Sequence, residues 1–136
     1  TARVVTASLH PLPPLSAPAA RTASYLRARA AGGAVLAAEY DARWNLLTGL
    51  PCVHTPYDVR TPQALAGFLK EARVDAVIVE DTAFALRPAA GAYAVPQAGE
   101  LSRLLELSRA ARLEWFDPEE RTEVWRVLSR ESARLE

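Results

Sequence analysis

One hundred and thirty-six residues with 16 basic and 16 acidic side chains, half the chain apolar, suit one globular domain that buries about two-thirds of its unfolded surface. The zero net charge removes the electrostatic footprint of a nucleic-acid binder, and a chain half apolar with 24% charged residues is not a largely disordered one. Methionine is missing altogether, so the sequence reads as a fragment or a processed product that opens on Thr1.

Alanine supplies 27 residues, and every basic residue except Lys70 is arginine. The single cysteine, Cys52, excludes an internal disulfide framework and a CxxC metal or redox motif. His10 and His54 lie far apart, which argues against a multi-His zinc site, and neither a metal nor a cofactor is expected. No run reaches the roughly 18 consecutive apolar residues of a transmembrane helix, and no signal-peptide pattern opens the chain.

Taken in order, residues 3–9 are β-branched enough for a short strand, and the prolines Pro11, Pro13 and Pro14 then block regular structure. Ser16 can cap a helix with Pro18 in its first turn, an apolar stripe of Ala19, Ala20, Ala23, Leu26 and Ala30, and a stop at Gly32 and Gly33. The apolar run 34–38 reads as a strand covered on both faces. Asp41 is placed to cap a short helix through Arg43, Trp44 and Leu47, closed by Thr48 and Gly49. A second strand over 51–54 leads into a loop with Pro56, Tyr57 and Asp58.

Thr61 and Pro62 fit the N-cap and first positions of the next helix, whose core stripe is Leu65, Phe68, Leu69 and Ala72. Residues 74–79 are apolar nearly throughout and predict the central strand. A looser connection covers 81–97, and a helix follows from about 100 to 111 with Leu101, Leu104, Leu105 and Ser108 on one side. Strands at 112–116 and 122–127 flank Asp117, Pro118, Glu119 and Glu120, a hairpin with Pro118 at the favoured position of a type I turn.

The expected fold is therefore α/β: a three-layer sandwich with a mostly parallel sheet and a C-terminal antiparallel hairpin. It is one domain over residues 1–136, with a strand and proline-rich lead over about 1–16, a core over 17–128 and a polar tail over 129–136. Leu135 and Glu136 read as a cloning remnant.

Ligands of parallel α/β sheets bind outside the C-terminal ends of the strands. Glu39, Tyr40, Asp41, Arg43 and Trp44 fall there, with aromatic faces for stacking and charged groups for hydroxyls or phosphates; the competing reading is a capped helix whose aromatics complete the core. His54 ends the second strand and Tyr57 and Asp58 follow it, but no third catalytic group accompanies Cys52 and His54, and no cation stands beside Cys52 to lower its pKa. Glu80 and Asp81 end the central strand, where acids usually cap or solvate the next loop. Trp115, Phe116 and Trp125 are expected to pack the hairpin onto a helix. No glycine-rich phosphate loop and no nucleophile-elbow motif occurs.

A longer pattern runs from residue 34 to residue 80: an apolar strand, an aromatic-rich short helix ending in Leu47, Thr48, Gly49, Leu50 and Pro51, a proline-bearing strand and loop, the helix opened by Thr61 and Pro62, and the strand over 74–79. With the closing Val124, Trp125, Arg126 and Val127, this resembles the soluble C-terminal domain of polyprenyl-phosphate-sugar-dependent membrane glycosyltransferases of the GT-C class. The protein mannosyltransferase-like and arabinose transferase-like enzymes belong to that class. Leu50 stands where arginine is common in that turn.

The resemblance implies an extracytoplasmic domain whose partner is the transmembrane part of the same polypeptide. It also implies no catalytic residue in this segment, because the family's catalytic acids lie between early transmembrane helices. The domain would cover the membrane-embedded site or help recognise the acceptor, touching a lipid-linked sugar or acceptor substrate through Tyr40, Asp41, Arg43, Trp44, His54, Tyr57 and Asp58. The alternative is an independent small α/β ligand-binding or regulatory module.

Overall fold

A computed structural model describes residues 19–29, 33–56, 58–81 and 98–128. The described elements are α1 (Ala20–Arg29), β1 (Leu36–Ala38), α2 (Asp41–Thr48), β2 (Cys52–His54), α3 (Pro62–Glu71), β3 (Ala76–Glu80), α4 (Ala98–Ser108), β4 (Ala111–Asp117) and β5 (Thr122–Val127). The expected strand at 3–9, the Ser16 cap, most of the connection at 81–97 and the tail lie outside the described residues.

The fold is α/β with a five-stranded mixed sheet in the order β2-β1-β3-β5-β4. Strand β1 pairs in parallel with β2 and with β3, whereas β5 is antiparallel to both β3 and β4. The expectation of a mostly parallel sheet is thus corrected: parallel and antiparallel pairings are equal in number. The hairpin is no edge appendage, because β5 inserts beside the central strand and pairs with it from Ala76 opposite Arg126 to Glu80 opposite Thr122.

Register sorts the core onto two faces, since successive side chains of a strand point to opposite sides. Leu36, Ala38, Ala76, Ile78 and Val124 pack with Ala23 and Leu26 of α1 and Trp44 of α2. Ala37, Val77, Val79, Trp125 and Val127 pack with Leu65 and Leu69 of α3 and Leu101, Leu104 and Leu105 of α4. Every residue of β3 is buried, as a strand covered on both sides must be. Each buried leucine or valine here contributes about 1.5–3 kcal/mol relative to exposure.

Local chemistry sets most of the helix ends. Thr61 Oγ1 accepts from the Ala64 amide at 3.1 Å, with Pro62 at the first helical position. Gly49, at φ 75°, closes α2 in the left-handed conformation, and its N–H donates to Asn45 at 2.8 Å. Asp41, however, is the first residue of α2 and not its cap. Tyr40 holds the cap position, and its side chain makes no capping hydrogen bond to the helix. Helix α4 stops at Ser108, short of the expected 111, because Ala111 already pairs with Val127 in the sheet. Ser108 Oγ accepts from the Ala110 amide at 3.0 Å as the chain turns.

Two buried acids tie the layers. Asp75, fully buried, accepts from the Val35 amide at 2.7 Å, and its carbonyl accepts from the Val127 amide at 2.9 Å. Glu120, in the β4–β5 turn, accepts from the Arg21 and Thr22 amides at 2.8 and 3.0 Å and from Thr22 Oγ1 at 2.6 Å. A carboxylate at a helix N-terminus satisfies orphan N–H groups and complements the helix dipole. Trp115 Nε1 donates to the same Thr22 hydroxyl, and its ring stacks on Tyr25 at 4.4 Å between centroids. Trp115 thus joins the hairpin to α1, while Trp125 packs on the opposite face and Phe116 stays 56% exposed.

Candidate functional site at the strand C-terminal ends

The parallel half of the sheet ends its three strands side by side, at Ala38, His54 and Glu80. Helix α2 begins three residues after β1, so its first turn lies over that edge. Arg43 and Trp44 both point inward there, 2% and 0% exposed.

Their common partner is Glu80, the last residue of β3. Glu80 Oε2 accepts from Arg43 Nε at 3.0 Å and lies 2.8 Å from Arg43 Nη2, and Glu80 Oε1 accepts from Trp44 Nε1 at 2.8 Å. The Nη2 contact is an ion pair without hydrogen-bond alignment, and Nη1 has no hydrogen-bond partner among the described residues. Burial raises the Glu80 carboxyl above its ordinary range, while the Arg43 charge and the Trp44 and Arg43 hydrogen bonds pull it back.

Around this centre the other groups are less committed. The half-buried Glu39 carboxyl is pushed up to about 7 by burial and by the nearby charge of Glu80. Among the described residues no hydrogen-bond donor reaches that carboxyl, whereas the Glu39 carbonyl lies 2.9 Å from His54 Nδ1. Thr55 extends the β1–β2 pairing, its amide donating to the Ala38 carbonyl at 3.0 Å, and its buried hydroxyl has no partner among the described residues. Burial, followed by the charge of Asp41, pushes the Cys52 thiol up to about 12, so the thiolate is scarce at neutral pH.

The candidates named from sequence therefore separate. Arg43 and Trp44 converge on Glu80; the Trp44 ring lies in the core, so no face of it is open for stacking. Tyr40 and Asp41 are half-buried at the start of α2, and His54 sits on the edge strand β2 against the Glu39 backbone. Asp58 is exposed, and Tyr57 lies outside the described residues.

Sequence reasoning missed the shared role of Glu80 and gave no place to Thr55. One signal was available for Glu80: it is the only charged residue of an otherwise apolar strand, Ala76 to Val79 preceding it. Among the described residues, no group of three or more His, Cys, Asp or Glu side chains could hold a metal ion. A groove of about 760 Å³ lies between α4 and the hairpin, lined in part by Arg103, Arg109, Arg112 and Leu113, and it includes none of the candidate residues. A comparison with protein-family models finds no match for the chain, and a search of curated proteins finds no relative.

Proposed function

We propose that the chain is the non-catalytic extracytoplasmic domain of a polyprenyl-phosphate-sugar-dependent membrane glycosyltransferase, covering the membrane-embedded site or assisting acceptor recognition. The reading rests on the resemblance over residues 34–80, and one observation carries it furthest. That stretch forms the β1–α2–β2–α3–β3 unit as a continuous parallel half-sheet, with the turn from Leu47 to Pro51 built around the left-handed Gly49. The two core clusters, one on each face of the sheet, support the three-layer sandwich read from the alternation of helices and strands.

In this reading Arg43, Trp44 and Glu80 form a structural centre, and chemistry belongs to the membrane-spanning part of the same polypeptide. No helix among the described residues is long and apolar enough to cross a membrane. The full reading frame tests the proposal. It is expected to encode, upstream of Thr1, several apolar segments of about 20 residues each. An initiator codon close before Thr1 would overturn it.

A further inference from the structure

We propose that the seam between α4 and the hairpin is a docking surface for an anionic phospholipid bilayer. The proposal stands on this surface alone and not on the glycosyltransferase reading, which the reading frame tests separately.

Apolar side chains single out the seam. Among the described residues five large apolar side chains are exposed, and four of them surround it: Leu107 on α4, Leu113 and Phe116 on β4, and Leu128 just after β5. They belong to one continuous surface. Leu113 and Leu128 line the groove of about 760 Å³. That groove meets the hollow beside Leu107 at Arg103, Glu106 and Arg109, and the hollow beside Phe116 at Gly99, Ser102 and Glu123. A lone exposed leucine needs no explanation, but a contiguous apolar patch rimmed by charge marks a protein or membrane contact.

Charge narrows the partner. Arg103, Arg109 and Arg112 line the groove against Glu106 and Glu123. The half-buried Glu123 is committed inward, accepting from Ser102 Oγ at 2.6 Å and from Trp125 Nε1 at 2.7 Å. Arg103 and Arg109 form no ion pair among the described residues. Arg112 lies 3.6 Å from Glu114, whose carboxylate is already held by Arg126 at 3.1 Å. The seam therefore turns a surplus of positive charge to solvent, on a chain whose net charge is zero, and its complement is an anionic surface.

The relief favours lipid over an acidic protein segment. Ala111 and Trp125, the buried part of the lining, are each 7% exposed and offer no deep pocket to a partner's side chain. The apolar atoms instead project, 45–56% exposed, beside the arginines. Aliphatic side chains at the acyl boundary, with arginine forks on the phosphates above them, are how interfacial surfaces hold a bilayer.

Sedimentation of the full chain with vesicles tests this. Vesicles of equal phosphatidylcholine and phosphatidylglycerol are expected to bind it saturably and less as salt rises, and phosphatidylcholine alone about tenfold more weakly. Arg103→Gln and Arg109→Gln are each expected to weaken binding about fivefold, Glu106→Gln to tighten it by a similar factor, and Leu113→Ser to weaken it. All four residues are exposed, so the urea midpoints of the variants are expected to match the parent's and separate lost binding from lost fold. No saturable binding to the anionic vesicles, equal binding to both vesicle types, or unchanged affinity in both arginine variants overturns the proposal. Displacement from the vesicles by poly-glutamate at equal charge also overturns it and assigns the seam to an acidic protein segment. A dimer in vesicle-free solution that Leu113→Ser dissolves overturns it in favour of a second copy of the chain.

Discussion

Two contacts between an arginine and a carboxylate, almost equal in length, divide the molecule. In the parallel half, Arg43 and Glu80 meet at 2.8 Å with side chains 1% and 6% exposed. At the hairpin, Arg21 and Asp117 meet at 2.6 Å, but the arginine is 54% exposed. Distance alone would rank them alike. Burial sets them apart, because in a low-dielectric interior each charge depends on the other to offset its lost hydration, while at the surface water replaces a missing partner.

The hairpin half spreads its charges accordingly. Arg21 also reaches Glu119 at 2.7 Å, and Glu114, the extra residue in the irregularity between Leu113 and Trp115, is shared by Arg126 at 3.1 Å and the Tyr25 hydroxyl at 3.2 Å. Burial opposes ionisation of Glu114, but Arg126 and Tyr25 outweigh it and hold the carboxyl below its ordinary range. Such networks orient the hairpin on α1. The Arg43 centre instead specifies how α2 lies on the sheet.

The comparison breaks first at Glu80. Glu80→Gln keeps an acceptor for Trp44 but strands the Arg43 charge, and urea unfolding is expected to show a loss of about 3–5 kcal/mol. A loss below about 1 kcal/mol would place this pair with the surface contacts. Trp44→Phe is expected to cost less, about 1–3 kcal/mol, because it removes the donor to Glu80 Oε1 and the five-membered ring but keeps an aromatic ring in the core and both partners of the ion pair.

The hairpin contact gives the smallest effect and sharpens the contrast through pH. The Arg21 hydrogen bond holds the Asp117 carboxyl down to about 2, below an ordinary value of about 3.9. A carboxyl depressed in the folded state lends stability that is complete above its unfolded pKa and is lost as pH falls through the folded one. Unfolding of Asp117→Asn and of the parent chain, followed from pH 5 downward, is therefore expected to converge as the pH approaches about 2. A gap that persists unchanged at the acid end would contradict the role assigned to Arg21.

Much of the fold was legible where its causes are local. Thr61 before Pro62, the leucines at 65 and 69, the glycine after Thr48 and the apolar run before Glu80 each act within a few residues, and each element formed within about two residues of its expected bounds, the strand expected over 74–79 running from Ala76 to Glu80. The position of β5 was not legible. A hairpin read from Pro118 says nothing of which strand it docks against, and pairing with β3 joins residues more than 40 positions apart. The candidate site was half legible for the same reason. Arg43 and Trp44 were visible as a charged and aromatic pair at the strand edge, but their partner lies 36 and 37 residues on. Nothing in the spacing distinguishes an acid that solvates a loop from one buried against an arginine.

The central claim is that Arg43 and Glu80 are a mutually dependent structural pair, and a double-mutant cycle tests it most directly. Arg43→Met and Glu80→Gln are each expected to destabilise the chain strongly, and the double variant, with both charges gone, to recover most of the loss. Losses that simply add would contradict the claim and return both residues to the role of independent groups at the strand edge.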